Sequence, residues 1–150
     1  MEDLKTLITE YLKEAKLMQV ATSKDGQPWV CSVYFAFDAE FNLYWISSPK
    51  RRHSREILEN EKVAGTVVLP HNPGDDVRGI QFQGTAKEIV GKDAMPAVLL
   101  YAKRFGMSML RVKNIVANKD GHVCYKIKPS LIVLFDEVNF PKEPRQEFWL

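Results

Sequence analysis

The sequence predicts a mainly β fold, an antiparallel barrel that is closed or nearly closed and carries flanking helices. Three observations predict it. Most segments alternate with the two-residue period of strands, and short turns join them. Apolar side chains occur on both strand faces, which indicates that neither face is freely solvated. Helical periodicity is confined to the N-terminal segment and two later insertions. The 150 residues fit one domain over 1–150.

Each element follows from its local pattern. The first helix has apolar residues at the i, i+3, i+4, i+7 spacing of one helical face. Lys24-Asp25-Gly26 is a strong hairpin signal between two strands, and Pro49 ends the aromatic-rich third strand. The segment 106–121 has no clear periodicity. The expected elements are helices over 3–15, 51–60 and 92–105, and strands over 17–22, 28–38, 43–48, 63–69, 79–90, 123–127 and 131–136.

Bulk composition argues against several classes of protein. A net charge of +2 gives no general attraction for nucleic acid, and no run approaches the about 20 apolar residues of a membrane helix. The N-terminus has acidic residues and no apolar run, which is unlike a signal peptide. Cys31 and Cys124 lack metal-ligand spacing, so we expect two buried, reduced thiols rather than a disulfide. These features predict a cytoplasmic protein.

The segment from Trp45 to Arg55 is the most informative one. A strand ends in hydroxyl residues, breaks at Pro49 and enters a short helix through a cluster of basic side chains. Helix-start N–H groups, serine hydroxyls and basic groups together suit a phosphate. The same pattern also fits a solvated, basic first helical turn. The candidate phosphate ligands are Ser47, Ser48, Lys50, Arg52, His53 and Ser54.

This segment resembles the central block of the pyridoxamine-phosphate-oxidase-like FMN-binding split barrels. In that family an "LYFxT" strand precedes a basic phosphate ligand, a short helix and an "NPxVA" segment. Here Leu43–Ser47, Arg52-His53 and 60–67 stand in those places, with Ser47 for Thr, His53 where Lys is common and Glu61 for Pro. The hairpin 21–28 resembles the family's "ATxxxDGxP", and 78–84 its "xVxxxG" strand. The similarity is greatest to an uncharacterised small bacterial branch.

The resemblance implies a six-stranded antiparallel split β-barrel of Greek-key topology, with N-terminal and inserted helices. It also implies a homodimer that holds FMN in clefts between the subunits. The phosphate would contact Ser47, Arg52 and His53, with Ser48, Lys50 and Ser54 beside them. The flavin ring would lie along Cys31, Ser32, Val33 and Tyr34, and either face of that strand can meet it. Arg78 and Gln81 would reach the ring or the ribityl chain.

The function implied is that of an FMN-dependent oxidoreductase with no assigned substrate. A true pyridoxamine-phosphate oxidase is not expected, because the strand 29–34 has no Arg or Lys and the C-terminus lacks the family's Arg-x-His segment. The flavin performs the redox chemistry, so no catalytic residue is assigned, and Tyr34 is a candidate hydrogen-bond partner only. The alternative is a non-catalytic module of the same fold that holds flavin, deazaflavin or haem.

The aromatic pair Phe148-Trp149 lies in a C-terminal segment of a kind that normally frays. Two interpretations remain open for it. The pair, Trp149 in particular, can dock on the partner subunit and cover the flavin ring, or it can pack on its own barrel.

Other chemistry-bearing residues have weaker patterns. His71 lies beside Asp75 and Asp76, in a turn-rich loop that fits a polar surface better than a metal site. His122 has no evident partner, and no set of residues has zinc spacing. No serine lies in a Gly-x-Ser-x-Gly sequence. The basic segment 103–113 fits a solvated helix face better than a nucleic-acid surface.

Overall fold

The alternating segments form one antiparallel sheet, which the computed structural model describes within residues 2–150. Strands β1–β8 span Leu17–Lys24, Gln27–Tyr34, Ala36–Phe37, Leu43–Ser47, Lys62–Val67, Arg78–Ile89, Val123–Asp136 and Arg145–Trp149. Helices α1–α4 span Leu4–Glu14, Arg52–Glu59, Met95–Phe105 and Met109–Val116, and a 3₁₀ turn at Gly91–Ala94 precedes α3. The three predicted helices are confirmed. The segment without clear periodicity contains α4. Among the described residues, no helix has both the length and the apolar character to cross a membrane.

The sheet curls because its two ends are parts of one strand. Neighbouring strands follow the order β2-β1-β5-β6-β7-β4-β3, and only Phe35 separates β2 from β3. β4 pairs with the first half of β7, and β8 pairs with the second half along the same edge. The mainly β, antiparallel split-barrel fold is therefore confirmed. If β2 and β3 are counted as one strand, the barrel has seven strands. Six were expected, and the additional strand is β8.

A bulge explains why β7 is one strand where two were expected. The register between β6 and β7 shifts between Gln83 and Gly84, and this shift lets β7 continue through Pro129. A Cβ on Gly84 would lie 2.2 Å from the carbonyl oxygen of Lys128. Only glycine therefore fits this close approach of the two backbones.

The inner face of the sheet carries the main core. Trp45 stacks on Tyr125 with ring centroids 5.1 Å apart, and the apolar side of α1 packs into the same cluster. A second cluster lies on the other side of β4 and the start of β7, where α3 and α4 cover Tyr44 and Cys124. Helices thus cover only part of the outer surface of the barrel.

The basic side chains of 103–113 are exposed as expected, except for that of Arg104. Its guanidinium donates hydrogen bonds to the last carbonyl groups of α1, 2.9 Å to Leu12 and a further bond to Ala15. The same group lies 4.9 Å from the ring centroid of Phe35, and burial lowers the pKa of Arg104. Arg104 therefore joins α3 to the C-terminal end of α1, where the helix dipole favours a cation.

The outer surface of β2, β1, β5, β6 and the end of β7 is left to solvent. Val30, Tyr34 and Trp149 are 59%, 54% and 64% exposed. Val30 and Trp149 lie in one cross-strand row that runs across the sheet. We call this surface the open face. Its central residues are uncharged, and the charged side chains of Lys62, Arg145 and Glu147 lie on the same side of the sheet. The central residues are Leu17, Gln19, Ala21, Val30, Ser32, Tyr34, Ala64, Thr66, Gln81, Gln83, Leu131 and Trp149.

Candidate anion-binding site

The N-terminus of α2 lies directly after β4 and has no side-chain cap. Arg51 occupies the N-cap position in an extended conformation, and its side chain makes no capping hydrogen bond. The first backbone N–H groups of a helix have no partner within the helix, and the dipole makes this end positive. Exposed basic side chains surround it, namely Lys50, Arg51, Arg52 and Arg55. The local structure thus attracts an anion from three sources: backbone donors, dipole and charge.

His53 lies beneath this helix end in contact with Ser47. It is 8% exposed, and its Nε2 lies 2.9 Å from the Oγ of Ser47, in a hydrogen bond. Burial and the positive charge of Arg51 lower the pKa of His53 below its ordinary 6.5, and the negative charge of Glu56 opposes them only in part. The imidazole is therefore neutral near pH 7. It adds a hydrogen-bonding group to the site rather than a positive charge.

Contacts within the protein hold Arg52 in one orientation. Its Nε donates to Oε2 of Glu56 at 2.8 Å, and its Cζ lies 4.2 Å from the ring centroid of Trp29. Glu56 is buried and also accepts a 3.4 Å hydrogen bond from Thr22. The guanidinium makes no other hydrogen bond with residues 2–150. Its Nη groups can therefore donate to an anion without losing an existing partner.

Neither the two residues that hold Arg52, Glu56 and Trp29, nor Thr22, which bonds to Glu56, was identified from the sequence. The Arg52–Glu56 pair has the i, i+4 spacing of helical ion pairs, so that spacing could have identified Glu56. Trp29 and Thr22 come from β2 and β1, and only the folded sheet brings them to α2. No local pattern signals their contact with the site.

The remaining predicted phosphate ligands differ in their placement. Ser54 is fully buried, and its Oγ donates to the carbonyl oxygen of Ser48 at 2.9 Å. The Oγ of Ser48 accepts a 3.3 Å hydrogen bond from the backbone N–H of Lys50. These two serines fix the turn between β4 and α2. The Lys50 side chain is exposed beside the helix end.

The predicted ring contacts on β2 divide between two faces. Ser32 and Tyr34 lie on the open face, whereas Cys31 and Val33 pack against the core. Tyr34 makes an edge-to-face contact with Phe105, with centroids 5.5 Å apart. Both cysteines are free thiols. Cys124 is buried and Cys31 only partly so, and burial raises the pKa of each, that of Cys124 to about 12.

Gln81 and Arg78 belong to the same strand but have different surroundings. Gln81 shares a cross-strand row of the open face with Thr66, Gln19 and Ser32. Arg78 has its Nε 3.4 Å from Oδ1 of Asp136 and its Cζ 5.5 Å from the ring centroid of Tyr11. Its charge is therefore already paired within the barrel.

The aromatic residues of β8 point to opposite sides. Phe148 packs on its own barrel, edge to face against Phe41 with centroids 5.6 Å apart. Trp149 is exposed on the open face, where its Nε1 donates to Glu147 at 3.0 Å. Packing on its own barrel is therefore correct for Phe148. Trp149 lies on an exposed surface and remains available to contact a partner subunit or a ligand.

The histidines outside α2 show no metal cluster. His71 is exposed in its loop. His122 does have a partner, because its Nδ1 lies 2.9 Å from Oδ1 of Asp120, which also pairs with Arg111. Within residues 2–150, no three His, Cys, Asp or Glu side chains are grouped so that they could hold a metal ion.

Comparison with known proteins identifies the family. The model of the family described as pyridoxamine 5'-phosphate oxidase matches residues 4–132. A UPF0306 protein of Pasteurella multocida is 25% identical over 104 residues, which cover 69% of this chain and 70% of that protein.

Two solved structures share the fold. HutZ, described as the haem storage protein of Vibrio cholerae, has a TM-score of 0.66 at 19% identity, over 85% of this chain and 91% of that one. A protein of Mesorhizobium loti described as FAD-binding has a TM-score of 0.63 at 22% identity, over 85% of this chain and 90% of the other. With the split barrel, and with a family match over most of its length, this chain belongs to the pyridoxamine 5'-phosphate oxidase family.

Proposed function

We propose that this protein binds FMN and acts as a flavin-dependent oxidoreductase on a small-molecule substrate. The observation that carries the proposal is the uncapped N-terminus of α2, with the Ser47 hydroxyl and a pre-oriented Arg52 beside it. Bound FMN supplies hydride or electron transfer, while the protein supplies its position and electrostatic environment.

The residues at this site fit a phosphate monoester. Such a group offers only acceptor oxygens and carries close to two negative charges at neutral pH. On its exposed side the site offers the Nη groups of Arg52 and the first N–H groups of α2 as donors, together with the hydroxyl of Ser47, which can donate or accept. Glu56, the nearest acid, is buried and already bound to Arg52. Within residues 2–150, the first turn of α2 contains no acidic residue that would repel the ligand.

The open face is the proposed place of the flavin ring and of a second subunit. Large apolar residues such as Val30 and Trp149 are exposed there, on a face whose central side chains are uncharged. Exposed apolar patches of this kind favour association. A twofold homodimer would cover both copies of the face with one contact and place the cofactor between subunits.

The donor set favours a phosphorylated flavin over haem. At this site the one imidazole is that of His53, which is buried and bonded to Ser47 rather than accessible to a haem iron. The proposal therefore differs from the storage role that HutZ's description gives to that protein. Pyridoxamine-phosphate oxidation is not proposed, since β2 offers no cation to a phosphorylated substrate.

The phosphate site is tested by comparing FMN with riboflavin, which lacks the phosphate. Arg52→Ala should weaken FMN binding about ten- to a hundredfold, because a hydrogen bond to a charged group contributes about 1.5–3 kcal/mol. Riboflavin binding should be unchanged. Quenching of flavin fluorescence measures both affinities, and Lys113→Ala, an exposed cation on α4, is the charge-matched control.

Redox function is tested on the freshly purified protein. A flavin absorbance spectrum that a nicotinamide reductant bleaches supports the oxidoreductase, and a flavin spectrum that reductants leave unchanged supports a binding module. A colourless protein that does not quench FMN fluorescence contradicts both, and a Soret band points to haem.

A further inference from the structure

The hydrogen bond between Ser47 and His53 can run in two directions, and only one leaves Ser47 able to bind an anion. A serine hydroxyl has a single proton to donate. If the Nε2 of His53 accepts that proton, the 2.9 Å contact consumes it. If Nε2 carries its own proton and donates, the Ser47 hydroxyl accepts at its oxygen and keeps its proton for another partner.

A phosphate dianion selects the second direction because it can only accept hydrogen bonds. Binding to Ser47 requires a free hydroxyl proton, and hence the form of His53 that is protonated on Nε2. A ligand that binds one form more tightly shifts the population toward that form. The choice between the two directions is therefore coupled to binding at the site.

The burial of the two residues shows which of them can meet the ligand. His53 is 8% exposed and lies behind Ser47, whereas Ser47 is partly exposed at the end of β4. The neighbouring cation Arg52 is exposed and already oriented. Position and charge thus assign the direct contacts to Ser47 and Arg52.

We propose that His53, in its neutral Nε2–H form, orients the Ser47 hydroxyl toward the phosphate and does not itself contact the ligand. This inference rests on the proposed FMN site. It makes His53 a positioning residue, although the resemblance of the sequence placed it among the direct phosphate ligands.

The ratio of FMN to riboflavin affinity, measured at pH 8, tests the inference in single and double variants. His53→Leu removes the donor and should lower the ratio about fivefold, the effect of one ordinary hydrogen bond. His53→Gln should restore the wild-type ratio, since its amide nitrogen lies as far along the side chain as Nε2 and can donate. In a Ser47→Ala background, His53→Leu should have no further effect.

A spectroscopic measurement reads the tautomer directly. Nitrogen-15 spectra of histidine-labelled protein resolve Nδ1 from Nε2, and comparison with His53→Gln assigns the signals among the three histidines of the chain. In the FMN complex at pH 8 we expect His53 to be neutral and protonated on Nε2. A neutral form protonated on Nδ1, or a doubly protonated ring, contradicts the proposal.

The outcomes separate this inference from the proposed function. A wild-type protein that does not prefer FMN to riboflavin overturns the phosphate site and the inference together. If the wild type prefers FMN but His53→Leu leaves the ratio unchanged, only the inference fails. It also fails if His53→Leu lowers the ratio further in the Ser47→Ala background, because His53 then acts without Ser47.

Discussion

Burial of His53 couples the stability of the fold to pH. Its pKa lies below 6.5 in the folded protein because burial and the nearby Arg51 oppose protonation, while Glu56 on the same helix favours it. The unfolded chain binds a proton at the ordinary value, near 6.5. The unfolded state therefore binds more protons once the pH falls below that value, and the free energy of unfolding decreases.

We expect the wild-type protein to lose more stability between pH 7 and pH 5 than His53→Gln, which has no titrating group at this position. Urea denaturation at several pH values measures the difference between the two proteins. Equal pH dependence in both would contradict a depressed pKa for His53.

Asp136 titrates in a separate, more acidic pH range. Burial raises the pKa of its carboxyl, but hydrogen bonds from Asn139 and Val138 and the charge of Arg78 outweigh this and lower it.

At the residue scale, the sequence predicted which segment contains the candidate anion site. It did not predict which of its side chains are buried and which are free to contact a ligand. Ser47, Arg52 and His53 do lie together at the start of α2. The inward position of Ser54 depends on the turn geometry at Ser48. The contact of Arg52 with Trp29 depends on a strand about twenty residues away. Short-range patterns do not carry such information.

At the element scale, the close approach of β6 and β7 makes Gly84 a sensitive position. A Cβ there would lie 2.2 Å from a carbonyl oxygen and 2.8 Å from the Cα of Pro129, both backbone atoms. Backbone atoms of a paired strand cannot retreat as a flexible side chain can. We therefore expect Gly84→Ala to lower the free energy of unfolding by at least about 2 kcal/mol, measured by urea denaturation.

Gly79, in the same strand, provides the matched control. A Cβ there would meet Cγ2 of Val68 at 3.6 Å, an ordinary contact. Neither glycine has a positive φ. Gly79→Ala should therefore change stability by less than about 1 kcal/mol, and a similar loss in both variants would argue against steric overlap as the cause.

The two-residue and helical periodicities predicted nearly every element, because one face of each packs on a core. They divided β7 into two strands because Lys128 and Pro129 resemble a break. The continuity of β7 depends on Gly84, which is distant in sequence. They also missed the role of Arg104, whose carbonyl partner Leu12 is 92 residues away.

At the scale of the whole molecule, the open face should decide the oligomeric state. In a twofold dimer one substitution appears twice at the contact, so a new carboxylate introduces two buried charges. Tyr34→Glu should therefore convert the proposed dimer into a folded monomer with weakened FMN binding. Light scattering after size exclusion measures the mass, and circular dichroism verifies the fold.

Leu110→Glu is the control for this prediction, since Leu110 is 70% exposed on α4, away from the open face. We expect this variant to remain dimeric and to bind FMN normally. A monomeric wild type, or a dimer that only Leu110→Glu disrupts, would assign the contact to another surface or to none.

The three tryptophans of the chain occupy three different environments. Trp29 lies against the guanidinium of Arg52, Trp45 is fully buried in the core, and Trp149 is exposed on the open face. Single-tryptophan variants would thus give separate fluorescence signals for ligand arrival, for unfolding and for association. Intrinsic emission can then time these events against one another, without an attached dye.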